Sequence, residues 1–126
     1  MDKHQAAVMI SVLSAKFNIP KPNYKLLPSG RNGRYSPKRN LIWIGMKCWY
    51  GIENIILHEF AHALTNARYG VIKTSKYRTE WHGAKFARCL IEIVDAWYGD
   101  QSKYSWNTEY KSLRAYGPRK EKETKS

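Results

Sequence analysis

Cysteine is scarce in this chain: Cys48 and Cys89 stand far apart, with no CxxC pairing. That excludes a disulfide scaffold and a thiolate-only zinc site, and it points to a reducing compartment. Long apolar runs are missing as well. Runs such as Leu41 to Ile44 and Ile55 to Leu57 fall far below the roughly 18 residues that span a bilayer, which excludes a transmembrane helix. Ala6 to Ala15 could pass for a short signal-peptide apolar region but fits a helix better. No internal repeat is visible. Acidic residues are absent between Asp2 and Glu53, a stretch with nine basic ones from Lys3 to Lys47. The whole chain carries 22 Lys and Arg against 10 Asp and Glu, a formal charge of +12. Its first half therefore carries the positive field, and an acidic partner is favoured, nucleic acid foremost.

What is present suits one compact domain. In 126 residues, 43% are hydrophobic and 13% aromatic, enough bulky surface to fill a core and exclude wholesale disorder. We expect a single domain over residues 1–117, a basic tail over 118–126 with nothing to bury, and a monomer located in the cytoplasm. Ala6, Met9, Ile10, Leu13 and Phe17 recur at helical spacing and predict a helix over 3–17. Three β-prone runs separated by turn residues follow at Tyr24–Leu27, Arg34–Tyr35 and Leu41–Ile44, and predict a small antiparallel sheet. A helix is predicted over Ile52–Tyr69, ended by Gly70, with Ile56, Phe60, Ala63 and Ala67 on one side and His58, His62, Thr65 and Asn66 on the other. A polar loop leads to a second long helix from about Glu80 to Tyr98, capped by Thr79, whose inner face holds His82, Phe86, Cys89, Leu90, Ile93 and Trp97. The fold class is thus α+β: a small zincin-like domain with an N-terminal helix, about three strands and two further helices.

The chemistry is concentrated in His58-Glu59-Phe60-Ala61-His62, an HExxH pattern inside a segment that independently reads as helix. Histidines four apart lie on one face, so both imidazoles can reach one zinc ion, while Glu59 stands about 100° round the helix and can reach a zinc-bound water. Zinc acidifies that water and polarises a carbonyl, and a carboxylate takes the proton and passes it to the leaving amine, which is peptide hydrolysis. A third protein ligand is needed. His82, on the predicted inner face, is the better candidate; Glu80 is its rival, and His4 has no such alignment. Thr65 and Arg68 stand where a metzincin would carry Gly and His, which excludes that class. A second class stays open, a basic DNA-binding or adaptor module with a structural or inactive zinc, where Cys48 or Cys89 could close the site. Glu59 favours the enzyme, because a structural site needs no carboxylate beside the water. For the oxyanion, Tyr69, Tyr77 and Arg78 are candidates by position.

The pairing of His58-Glu59-x-x-His62 with His82-Gly83-x-x-Phe86 resembles the SprT-like (Spartan-type) zinc metallopeptidases over roughly residues 33 to 98, and more distantly the ImmA/IrrE-like peptidases, whose ligand at the position of His82 is Glu. The resemblance implies zinc on His58, His62 and His82, Glu59 as catalytic base, and protein substrates associated with DNA. No cysteine-rich zinc ribbon follows the second helix, as it does in some members. Lys21, Lys25, Arg31, Arg34, Lys38 and Arg39 interleave with Tyr24 and Tyr35, a composition that can hold phosphates and stack bases. Leu41 to Ile44 is either a rim strand that pairs with an extended peptide or a buried core strand.

Overall fold

The structure, a computed structural model, describes residues 3–47, 51–70, 73–75, 78–79, 82–106, 109 and 113. The N-terminal helix α1 (Lys3–Phe17) is followed by strands β1 (Asn23–Leu27), β2 (Gly33–Ser36) and β3 (Leu41–Gly45). Next come helix α2 (Ile52–Tyr69), the short strands β4 (Lys73–Ser75) and β5 (Arg78–Thr79), helix α3 (Ala84–Tyr98) and a single 3-10 turn at Gln101–Lys103. The architecture is α+β, as expected, and no described helix is long and apolar enough to cross a membrane.

α2 is the hub. It packs against α1, α3, β2 and β3, and from Asn54 to Thr65 every residue except His58 is buried. The helix wheel therefore holds only in part: Thr65 and His62 are buried although they belong to the polar side, while Ala67 is exposed. The polar side of α2 faces neighbouring chain rather than water, and Thr65 satisfies its hydroxyl internally by donating to Ala61 O at 2.7 Å. α1 lays Ala6, Met9, Ile10 and Leu13 into the core, and Phe17 meets the Phe60 ring at 6.3 Å.

The sheet differs from the expected one. Its order is β1-β3-β2, with β2 antiparallel to β3 but β1 parallel to it, so it is mixed rather than antiparallel. The cause is a backbone crossing. Residues 28–32 pass over the end of β3, where a Cβ on Gly45 would lie 2.6 Å from Asn32 O and 2.7 Å from Gly30 C. Only glycine admits that approach. Met46 N then donates to Leu27 O at 2.9 Å and Lys47 N to Gly30 O at 2.8 Å, tying down the crossing. β2 is thereby carried to the far side of β3, leaving β1 on the near side.

This topology decides between the two roles considered for Leu41–Ile44, against the rim strand and for the core strand. The run is the central strand, paired along both edges, so it has no free edge for a peptide; Ile42 and Ile44 are fully buried. The segment before α3 differs too: β4 and β5 pair as a small antiparallel hairpin where a loop was expected. α3 begins at Ala84, with Gly83 as N-cap in extended conformation. Thr79 lies in β5, and His82 precedes the helix instead of riding on it. The rest of the predicted inner face holds, since Phe86, Cys89, Leu90 and Ile93 are buried. Beyond α3, Tyr104, Trp106 and Leu113 join the core, whereas the tail from 118 lies outside the described residues.

Candidate metal centre

Three imidazoles meet in the cleft between β2, α2 and the approach to α3. One donor atom from each of His58, His62 and His82 lies within 4.8 Å of the others, and the rings form a nearly even triangle with centroids 5.0 to 5.1 Å apart. Two come from successive turns of α2. The third, His82, stands just before α3, next to Gly83, which caps the helix in extended conformation and without a side chain. Phe86, buried one turn into α3, lies against all three rings at centroid distances of 5.0, 4.3 and 5.1 Å. It is the floor that holds them together and keeps water from below.

The donor set fits zinc. Tetrahedral zinc with Zn–N near 2.0–2.1 Å places neighbouring nitrogens about 3.3 Å apart, and His58 Nε2 lies 3.2 Å from His82 Nε2. Burial, with the charges of His58 and His82 adding, holds the His62 pKa far below its ordinary value. Burial, reinforced by the His58 charge and opposed by Glu109, holds His82 down at about 4. Both rings are therefore neutral near pH 7, the protonation state that metal ligation by imidazole requires.

His58 is set differently. Its Nδ1 lies 2.8 Å from Glu109 Oε2, and because a carboxylate only accepts, Nδ1 carries the hydrogen; in the neutral form of the ring Nε2 is then the nitrogen that would ligate a metal. Burial opposes charge on this ring, yet the hydrogen bond and charge of Glu109, together with the charge of Glu59, outweigh it and raise its pKa. Glu109 is correspondingly held low, since the bond and charge of His58 and the hydroxyl of Tyr104 overcome its own burial. Glu109 was not singled out from the sequence.

Glu59 lines the same cleft, about 310 Å³ in volume, with Gly33, Arg34, Tyr35 and the three histidines. It is 6% exposed. Burial raises its pKa to about 7, against the pull of His58 and with Glu109 adding to the rise. Gly33 is the reason it fits: a Cβ there would lie 2.9 Å from the Glu59 carboxylate and strike Ile55. Tyr35, two residues along β2, stacks parallel to His62 at 6.4 Å, donates to Asn40 Oδ1 at 2.7 Å and accepts from Asn66 Nδ2 at 3.4 Å.

Other residues considered from the sequence lie elsewhere. Tyr69 is exposed, with Lys85 Nζ 5.0 Å above its ring, and does not line the cleft. Cys89 is fully buried in the core. Arg78 lies in β5, while Glu80, Tyr77 and Cys48 fall outside the described residues, as does Asp2. Tyr35 faces the cleft and Tyr24 packs partly into the core. No family model matches the chain, and no curated protein or solved structure matches it either.

Proposed function

We propose that the chain is a zinc-dependent endopeptidase of the zincin type, similar to the SprT-like metallopeptidases, that acts on protein substrates in the cytoplasm. The observation that carries this is the convergence of three neutral-capable imidazoles and one buried carboxylate in a single cleft bordered by a strand. A bound zinc would acidify water and polarise the scissile carbonyl. Glu59, held between Ile55 and the bare backbone of Gly33, receives the proton of the attacking water and delivers it to the departing amine. Phe86 excludes solvent from beneath the ligands. β2, whose other edge is unpaired among the described residues, borders the cleft and is the strand against which an extended peptide can lie. The test is direct: the zinc-loaded full chain cleaves unfolded casein, loses the activity on chelation and regains it with added zinc. Zinc uptake without cleavage would leave a structural zinc module as the better account.

We also propose single-stranded DNA as a partner, bound on the opposite face of the sheet. There the register aligns Lys25, Trp43 and Arg34 in one cross-strand row, with the Arg34 guanidinium 5.4 Å from the Trp43 ring. Beside them lies a depression of about 440 Å³ lined by Leu27, Arg31, Asn32, Arg34 and Trp43. An aromatic ring between cations suits a base and its phosphates. With three phosphate contacts, log K should fall against log salt with a slope of about −2, and Trp43→Ala should weaken binding about tenfold. Fluorescence anisotropy of a labelled oligonucleotide measures both; a salt-insensitive affinity would rule the surface out.

A further inference from the structure

A carboxylate far along the chain stands behind one of the three imidazoles. Glu109 comes from the segment after α3, and its Oε2 lies 2.8 Å from His58 Nδ1, on the side of the ring away from the other histidines. It is not one of the groups that gather at the metal position. Its own placement is determined from several directions. The Tyr104 hydroxyl donates to the same oxygen, and Glu109 N donates to Trp106 O at 3.0 Å. Tyr104 and Trp106 are buried and packed edge to face at 5.0 Å, and Trp106 Nε1 donates to Gln101 O at 2.8 Å. The carboxylate is thus clamped by a small aromatic bracket that belongs to neither metal-bearing element.

We propose that Glu109, braced by Tyr104, is a positioning residue of the metal centre: it fixes the tautomer and orientation of His58 and ties the segment after α3 to metal binding. The inference rests on the zinc site proposed above. An imidazole free to rotate or to exchange its hydrogen between nitrogens presents the correct lone pair only part of the time. A carboxylate at Nδ1 removes that freedom and makes Nε2 a stronger donor. Because the bracket is built from Gln101, Tyr104, Trp106 and Glu109, a metal that selects the ordered His58 also selects the docked bracket, and the two equilibria are linked.

The test measures zinc affinity of the full chain by competition with a chromophoric chelator, beside the visible spectrum of the cobalt form and the melting temperature of the metal-free protein. Glu109→Gln keeps an acceptor but loses the charge; Glu109→Ala loses both. We expect affinity to fall about 10- to 100-fold, more for Ala than for Gln, with an altered cobalt spectrum and little change in metal-free melting. Tyr104→Phe, which removes one hydroxyl and keeps the ring, should give a smaller loss in the same direction, and it serves if the Glu109 variants fail to fold. Affinities within about twofold of wild type and unchanged cobalt spectra would overturn the role, as would a metal-free destabilisation that accounts for the whole loss. A wild type that takes up no zinc would overturn the metal site itself, and this role with it.

Discussion

Glu59→Gln is expected to lower kcat/KM on unfolded protein by about a hundredfold to ten-thousandfold while leaving one zinc bound per chain. The substitution is nearly isosteric, so the packing around position 59, with Ile55 below and the Gly33 backbone above, is preserved. What it removes is the ability to accept a proton in the cleft, and no other described carboxylate lines that cleft to replace it. Glu109 cannot substitute, since it lies behind His58. Native mass spectrometry and a peptide-cleavage assay on the same preparation separate the outcomes. Loss of zinc in this variant would mean that Glu59 serves the metal or the fold, and full activity would assign the base elsewhere.

His82→Ala should weaken zinc binding about a hundredfold or more, on the order of one ligand's share of a structural zinc affinity. His58 and His62 lie on one helix and can at best hold an ion from one side. His82 is the residue that brings the other side, from a separate piece of chain just before the N-cap Gly83 of α3. The variant should also lose the thermal stabilisation that added zinc confers on the wild type, because an ion that bridges two segments stabilises the folded state in proportion to its affinity. Undiminished zinc in this variant would transfer the third ligand to Glu80 or a cysteine.

The helices that carry periodic apolar residues were legible from sequence almost to the residue: α1 and α2 have the expected bounds, and the HExxH spacing placed His58 and His62 on one turn-to-turn face. His82 was legible as inward-facing for a partly mistaken reason. The apolar stripe of α3 extrapolates back through it, but Gly83 starts the helix later, and His82 reaches the cleft from the non-helical chain before it. The parallel pairing of β1 was not legible, because it depends on a backbone crossing permitted by the absence of one Cβ at Gly45, which no periodicity records. Glu109 was invisible for a related reason. It is a single carboxylate in a basic, polar stretch, and its significance lies in a contact with a residue 51 positions earlier. Local patterns reveal elements; they do not reveal which distant side chain an element meets.

The crossing over Gly45 also sets the order in which the sheet can assemble. β2 and β3 meet across the four-residue turn at 37–40, with Ser36 opposite Leu41, so their pairing closes a short loop. β1 must find β3 across the whole of β2, with Asn23 opposite Leu41, and longer loops close at greater entropic cost and more slowly. The hairpin is therefore expected to form first and to offer its open edge to β1, before the 28–32 link settles across the end of the central strand. On unfolding the reverse order is expected, with β1 detaching first, and amide hydrogen exchange that is faster in β1 than in the β2–β3 pairing would check it.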